Sequence, residues 1–284
     1  MTMPRRQHGH LTRAGQPWSA LLRLGLGAGA FAGVLWWLLP DWRALSEGAS
    51  VHVWGFGVSL LGTALASWVT ARRWQLLLEA MGGDRLPFFE YLRVLVATRF
   101  VGQFVPTLAV DLVGRGVGLR RAGSERSVGH SATQVVVERI LDLLLPLGLA
   151  AWLLSRPAPA TAEELWAPVV IMALIASVFV PLIRPIARLA LAVYTRISRW
   201  RRAVSGDVPR DEVNLAPATA ARLAALSVAR LLTVTTQFYG AAMVVGLAPS
   251  PAHMLGATGI AGLAGLVGIT PGGLGVIEWG WAGA

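Results

Sequence analysis

The chain has 284 residues, of which 55% are hydrophobic and 14% are charged, and its formal net charge is +10. Soluble domains carry about 25% charged residues, so this composition indicates a protein whose solvent is largely lipid. The sequence contains no cysteine, which excludes a disulfide framework, a thiolate metal site and a cysteine nucleophile.

Arginine supplies all of the basic charge, because the sequence contains no lysine. The arginines lie mostly between apolar runs, which is the pattern of a positive-inside membrane topology and of contact with anionic lipid headgroups. No nucleic-acid partner is expected, although this charge would suggest one in a soluble protein. The five histidines are scattered without metal-ligand spacing, and no cofactor is expected.

Two membrane spans are predicted near the amino terminus. Residues 1–18 are basic and polar and are predicted to be a cytoplasmic tail. The apolar run that follows is longer than a signal sequence, so Leu21–Leu39 is predicted to be an uncleaved first span. Val51–Thr70 is predicted to be the second span, with Arg72 and Arg73 following it on the inner side.

The segment Leu86–Leu112 is too polar for an ordinary span. If it crossed the membrane, the arginine-rich loop after it would lie outside, against the usual charge distribution. A re-entrant hairpin that turns near Pro106 removes this conflict, as would a lid or an interfacial helix. The candidate binding residues of this region are Arg99, Gln103, Pro106, Asp111 and Arg115.

Two further spans are predicted in the middle of the chain. Val135–Leu154 is the third, and charged residues lie at its cytoplasmic end. Glu138 and Asp142 are four residues apart and share a helix face, while Arg139 can pair with Asp142. Leu165–Ile183 is almost purely apolar and is predicted to be a fourth span with a structural role.

Arginines mark the next two segments. Residues 184–202 carry arginines on one side of a helical wheel and apolar residues on the other, which predicts a helix in the inner headgroup layer, bound to anionic lipid headgroups. Ala218–Leu247 is a further apolar segment. Arg222 can reach the inner interface, but Arg230 lies about a dozen Å deeper. Arg230 and the nearby Gln237 are therefore candidate site residues.

The last apolar run ends in a glycine-rich break, Gly265–Glu278, which reads GLVGITPGGLGVIE. Transporters build substrate sites from such interrupted helices, because the freed backbone groups need protein or water as partners. A packing face or a surface loop is the alternative. FVGQFVP and LVGITP look alike in the two halves, as an inverted repeat would leave them. The candidate site residues of this stretch are Thr270, Pro271, Gly272, Gly273, Gly275 and Glu278.

Together these segments predict an all-α fold. Residues 1–284 are expected to form a single transmembrane domain, a polytopic helical bundle with about six spanning helices and two broken or re-entrant segments. The chain stops at Ala284 within apolar sequence, so the carboxyl terminus is expected to be truncated, either because residue 284 is an artificial boundary or because a terminal helix has been lost. A homodimer is left open.

Ionisable residues at membrane depth cost roughly 2.5–3.5 kcal/mol each on insertion scales, so they need a partner or water. Internal ion pairs that hold the bundle together are therefore the structural alternative to a transport site. The sequence has no G-x-S-x-G motif, no metal triad and no nucleotide-binding glycine loop. Enzymatic activity is not expected on this basis.

Four motifs, in this order, resemble the membrane region of the lysylphosphatidylglycerol synthase/flippase family, including its stand-alone relatives without a synthase domain. They are RRW-x-LLL at Arg72–Leu78, F-x-P…D-x-x-x-R at Phe104–Arg115, VVVERILD at Val135–Asp142 and TPGGLGVIE at Thr270–Glu278. Where the family usually has glycines before the aspartate, this chain has Ala109 and Val110.

The resemblance implies a multi-pass protein of the bacterial cytoplasmic membrane with a cytoplasmic amino terminus. It would move a charged-headgroup phospholipid or lipid-linked intermediate between the leaflets, with no aminoacylation of its own. A secondary transporter of a soluble anionic solute and a non-catalytic membrane partner of an envelope-lipid enzyme are the alternatives.

In the mechanism that these residues suggest, a groove between the two halves holds the headgroup. Three arginines contact its phosphate, and three acids contact a cationic group or carry protons. The arginines are Arg115, Arg139 and Arg230, and the acids are Asp111, Glu138 and Glu278.

Overall fold

The computed structural model describes residues 52–124, 128–156, 160–201 and 215–266, and the regular structure within these ranges is helical, as predicted. The helices are α1 (Val53–Ala80), α2 (Phe88–Gly102), α3 (Thr107–Ala109), α4 (Arg115–Arg121), α5 (Val128–Leu154), α6 (Trp166–Arg201), α7 (Pro217–Val244) and α8 (Pro251–Leu266). A π-helical turn, Val110–Gly114, joins α3 to α4, and a 3-10 turn, Ala162–Leu165, precedes α6.

Three segments within the described ranges are long and apolar enough to cross a membrane. They are Val53–Ala80, Ala162–Arg196 and Pro217–Val244, which correspond to α1, the 3-10 turn with most of α6, and α7. These segments support the prediction of a membrane protein. The predicted total of six spans and the inverted repeat stay predictions, and the predicted first span, Leu21–Leu39, lies outside the described residues.

The backbones of α1 and α7 are in close contact. A Cβ atom added to Gly62 of α1 would lie 2.5 Å from the backbone nitrogen of Gln237 in α7. A Cβ atom on Gly55 would lie 2.7 Å from the carbonyl oxygen of Gly240. Small residues allow this approach, as they do in many membrane helix pairs. The contact brings the polar face of α7 beside that of α1.

The apolar core surrounds this helix pair. Where α1, α5, α6 and α7 meet, Leu77, Phe179 and Leu223 are fully or almost fully buried. A second cluster joins α1 to α2 and α4, and within it the rings of Trp74 and Tyr91 meet edge to face with their centroids 5.2 Å apart. These two clusters hold α2 and α5 on either side of the carboxyl-terminal half of α1.

The predicted break near Pro106 is present. α2 ends at Gly102, and helical structure resumes at Thr107. The 15 residues of α2 span roughly 22 Å, less than the ~30 Å hydrocarbon core of a bilayer. The π-helical turn and α4 then pack back against α2 and against α5. Such π-helical turns are frequent at functional sites.

Two segments differ from the predicted boundaries. α1 continues to Ala80, ten residues past the predicted end of the second span at Thr70. The helix can continue inside the bundle because Glu138 and Asp142 neutralise the buried Arg73. Residues 184–201 continue α6 without a break, since Ala187 and Leu191 pack on the bundle four residues apart. The placement of that basic segment in the headgroup layer stays a prediction.

Candidate functional site

A polar cavity of about 350 Å³ lies between α1, α2, the π-helical turn, α5 and α7. Among the described residues, five arginines and three carboxylates line it, so the cavity wall carries an excess of two positive charges. Side chains with hydroxyl and amide groups complete much of the remaining wall. The charged lining residues are Arg73, Arg99, Arg115, Arg139, Arg230, Asp111, Glu138 and Asp142.

Arg73 is the most deeply buried of the ion-paired charged residues, and its side chain is 1% exposed. It donates two hydrogen bonds to the carboxylate of Asp142, with N···O distances of 2.5 and 3.0 Å, and one of 3.2 Å to Glu138. The hydroxyl of Ser227 accepts a further bond from its Nη1 at 3.2 Å. Arg73 thereby connects α1 to α5 and α7. Two parallel bonds to one carboxylate are the strong form of this interaction.

Arg115, the first residue of α4, connects the broken segment to α5. It donates to Oε2 of Glu138 at 2.5 Å and to Oδ1 of Asp111 at 3.1 Å. Its guanidinium carbon also lies 5.2 Å from the centre of the Trp74 ring, a cation–π contact. Glu138 is therefore held between two arginines, Arg73 and Arg115.

Arg139 pairs across helices with Asp111 at 2.5 Å. The sequence had favoured Asp142 as its partner, because the two residues lie three apart on α5. In the folded chain Asp142 instead pairs with Arg73 and with Arg230. The Nη1 atom of Arg230 lies 3.3 Å from Oδ1 of Asp142. Packing of the π-helical turn against α5 thus decides the pairing.

The ion pairs form one alternating chain of four arginines and three carboxylates, which we call the ion-pair chain. Each of its carboxylates contacts two arginines, and an arginine stands at either end. The order is Arg139, Asp111, Arg115, Glu138, Arg73, Asp142 and Arg230. Such a chain keeps buried charges paired, which lowers the cost of burying them.

Arg99 of α2 lies outside the ion-pair chain. It donates to the hydroxyl of Ser67 at 3.2 Å and to that of Thr70 at 3.3 Å, both on α1. Within the described ranges no carboxylate comes within ion-pair distance of its guanidinium group. It is therefore a cavity-lining cation that hydroxyl groups, and not a counter-charge, hold in place.

A second cavity of about 210 Å³ adjoins the first and has mainly apolar walls. Its lining includes Pro146 of α5, Leu231 and Phe238 of α7, and Leu266 of α8. The two cavities share the residues Arg139, Asp142, Arg230 and Gly265. A polar chamber and an apolar chamber thus meet at the two ends of the ion-pair chain.

Most of the described residues that were predicted for the site line the polar cavity. They are Arg99, Gln103, Asp111, Arg115, Glu138, Arg139, Asp142, Arg230 and Gln237. Pro106 marks the helix break but is exposed and does not line the cavity. Of the glycine-rich break, Gly265 lines the cavity, while the predicted site residues Thr270, Pro271, Gly272, Gly273, Gly275 and Glu278 lie outside the described residues.

Arg73, which joins Glu138 to Asp142 in the ion-pair chain, was not among the predicted site residues. It was placed only on the inner side of the second span, and its side chain is buried. A signal was available, since consecutive helical residues point about 100° apart, so Arg72 and Arg73 face different surroundings on a helix that packs in a bundle. The hydroxyl groups of Thr70, Thr98 and Thr107 in the cavity wall were also missed.

Within the described ranges, no group of three or more histidine, aspartate or glutamate residues could hold a metal ion. The arrangement of the charged residues suits binding of a polar or charged molecule through hydrogen bonds. Guanidinium groups match phosphate and carboxylate in shape as well as in charge.

Residues 21–284 match the family described as the lysylphosphatidylglycerol synthase TM region. No curated protein and no solved structure gives a match. The matched range contains the ion-pair chain and all three described segments that could cross a membrane. The chain therefore belongs to the lysylphosphatidylglycerol synthase transmembrane-region family and is a membrane protein linked to lipid handling.

Proposed function

We propose that this protein moves a phospholipid or lipid-linked intermediate with a charged headgroup between the leaflets of the bacterial cytoplasmic membrane. The observation that carries the proposal is the direct contact between a charged, polar cavity and an apolar one inside a membrane helix bundle. A lipid needs both environments, because its headgroup must be hydrogen-bonded while its tails must stay out of water.

The ion-pair chain supports this function energetically. A bare charge in the bilayer costs several kcal/mol, and a headgroup that crosses unaided meets this cost. A path lined with guanidinium and carboxylate groups offers polar partners at membrane depth. Since those groups neutralise one another when no lipid is bound, the path itself can persist in the bundle.

The broken segment gives the proposed path an entrance. α2 is too short to cross the bilayer, and the π-helical turn and α4 return beside it. A re-entrant hairpin of this kind leaves helix ends at membrane depth, where transporters place substrates. In this proposal the amino terminus and the basic segment 184–201 lie on the cytoplasmic side.

The alternatives make different demands on the same residues. A transporter of a soluble anion would use the polar cavity but would have no use for the apolar chamber beside Phe238. A non-catalytic partner of an envelope-lipid enzyme would need neither cavity. Loss of a charge such as that of Arg230 would then leave the activity of that enzyme intact.

The test is lipid translocation in proteoliposomes. A phosphatidylglycerol with a fluorescent acyl chain is placed in both leaflets, and a membrane-impermeant quencher reports how fast inner-leaflet lipid reaches the outside. We expect the wild-type protein to raise this rate above that of protein-free vesicles. Arg230→Gln should lower the protein-dependent rate by about tenfold, the loss expected for a charge-assisted hydrogen bond of ~1.4 kcal/mol.

Arg222→Gln is the matched control, because Arg222 lies two turns away on α7 and is exposed. It removes the same charge but should leave the rate unchanged. Equal lipid translocation rates with and without protein would rule out the proposed function. Protein-dependent release of a trapped soluble anion, without lipid movement, would favour the solute transporter.

A further inference from the structure

Two arginines already neutralise each carboxylate of the ion-pair chain. Asp111 is shared by Arg115 and Arg139, Glu138 by Arg73 and Arg115, and Asp142 by Arg73 and Arg230, all at 2.5–3.3 Å. A positively charged group entering the cavity would have to compete with two arginines for any of these carboxylates. Breaking a buried pair is costly, so the acids act as counter-ions to the protein itself.

Among the described residues, the free binding capacity of the cavity is cationic. Within the same residues Arg99 makes hydrogen bonds to two hydroxyl groups, although a guanidinium group has five N–H donors. Arg139 and Arg230, at the two ends of the ion-pair chain, are 27% and 28% exposed, against 1% for Arg73. The Nε of Arg230 is buried and has no hydrogen-bond partner among the described residues.

From this geometry, and resting on the proposed lipid function, we propose that the cavity selects a headgroup of net negative charge and that Arg99 binds its phosphate. Arg139 and Arg230 supply further donors from the ends of the ion-pair chain. The expected contact of Asp111 and Glu138 with a cationic part of the headgroup is not retained, because two arginines already hold each of these acids.

Phosphate fits this set of donors. Guanidinium binds a phosphate group with two parallel hydrogen bonds, and such charged bonds are about twice as strong as neutral ones. A phosphodiester would also supply the counter-charge that Arg99 lacks among the described residues. A lysine ester of the same lipid turns its net charge from −1 to +1, and its ammonium groups would face arginines.

The experiment measures competition for the purified full-length chain in a neutral detergent. A fluorescent dioctanoyl-phosphatidylglycerol is bound first, and three unlabelled competitors then displace it. These are dioctanoyl-phosphatidylglycerol, its lysine ester and inorganic phosphate. We expect the anionic lipid to bind at least about tenfold more tightly than the lysine ester, as one charged hydrogen bond gained or lost would produce.

The matched variants are Arg99→Gln and Arg93→Gln. Both residues lie on α2, but the side chain of Arg93 is 68% exposed on the surface of the helix bundle, where it pairs with Glu90. Arg99→Gln should weaken binding of the anionic lipid about tenfold or more. The ratio of its affinity to that of the lysine ester should therefore fall. Arg93→Gln should leave both affinities unchanged.

A third variant, Arg99→Lys, covers the case in which Arg99→Gln does not fold. It keeps the charge and loses the two parallel bonds, so we expect weaker binding with the preference for the anionic lipid retained. Unchanged affinity in Arg99→Lys and Arg99→Gln would overturn the role of Arg99. A lysine ester that binds wild type as tightly as the anionic lipid would overturn the charge selection.

The outcomes separate this inference from the proposed function. If inorganic phosphate competes as well as the lipid does, the cargo is a soluble anion and the lipid function fails. If Arg99→Gln also weakens binding of both phosphate and the anionic lipid, the anion site at Arg99 is supported. If anionic and lysylated lipids cross proteoliposomes at equal rates and bind equally, the function stands and this inference fails.

Discussion

The charged side chains that line the polar cavity in the described part of the chain divide into two groups by their neighbours. Those of the ion-pair chain satisfy one another across five helical elements, so each is held by at least one partner of opposite charge. Arg99 alone among the cavity arginines has hydroxyl partners without a carboxylate in the described part of the chain. The first group holds the helices around the cavity, and in the proposal above Arg99 offers a place for a ligand.

At the residue scale, Arg73→Met should be strongly destabilising. The change deprives Glu138 and Asp142 of a shared partner in a buried position. Removing one member of a buried ion pair costs about 3–5 kcal/mol, because the remaining charge stays buried. We expect a loss of this size in the free energy of unfolding, measured by denaturation in mixed detergent micelles.

Arg93→Met is the control for that measurement. Arg93 also forms an ion pair, with Glu90, but its side chain is 68% exposed, and exposed pairs contribute only about 0–1 kcal/mol. Its free energy of unfolding should therefore stay close to that of wild type. Similar losses in the two variants would mean that Arg73 does not hold the buried acids as described.

At the scale of elements, the close pair of α1 and α7 positions the cavity. The glycine contacts set the distance between these helices, and the same two helices carry Arg73, Ser227, Arg230 and Gln237. The helix break between α2 and α3 has a complementary effect. It allows the chain to turn back, so that Arg99 and Arg115, on the two sides of the break, line one cavity.

Gly62→Ala tests the α1–α7 contact. The added methyl group would lie 2.5 Å from the backbone nitrogen of Gln237, so the helices must move apart. Overpacking of this kind costs about 1–3 kcal/mol. We expect a lower free energy of unfolding in detergent micelles and, because Gln237 moves with α7, a slower lipid translocation.

Gly57→Ala on the same helix provides the comparison. A Cβ atom there meets nothing within 4 Å, and alanine favours a helix over glycine by about 0.5–1 kcal/mol. This variant should be as stable as wild type or slightly more stable. If Gly62→Ala is as stable as Gly57→Ala, the contact at Gly62 does not set the distance between α1 and α7.

At the scale of the whole molecule, membership of the family and the three long apolar segments describe a membrane protein. α7 has 28 residues and extends about 42 Å, enough to cross a ~30 Å hydrocarbon core with both ends in water. Within it, Arg230 lies 13 residues past the start of the helix, about 20 Å along the axis, and so at membrane depth.

The topology of α7 can be tested by cysteine labelling, because the natural chain has no cysteine and gives no background. Ala218→Cys and Leu247→Cys place single thiols at exposed positions near the two ends of the helix. In intact cells, an impermeant maleimide should label Leu247→Cys alone, since the arginine distribution predicts that Ala218 is cytoplasmic. After permeabilisation both should react. Labelling of both variants in intact cells would contradict a membrane-spanning α7.

The sequence by itself determined the helical class, the lipid environment and most of the charged residues of the cavity. Composition and hydrophobic length depend only on the residues present, and an arginine or carboxylate inside an apolar run needs partners in whatever bundle forms. The motifs around Asp111, Glu138 and Asp142 carried enough local information to indicate the family. The break near Pro106 was also readable, because it depends on local backbone chemistry.

Only the tertiary structure decided which charges meet. Spacing along a helix identifies neighbours three or four residues apart, and on that basis Arg139 was paired with Asp142. Packing of α1, the π-helical turn and α7 around α5 instead gave Asp142 to Arg73 and Arg230, and gave Arg139 to Asp111. The same packing buried Arg73 and left Arg99 to hydroxyl groups, because contacts between helices depend on how their faces are turned toward one another.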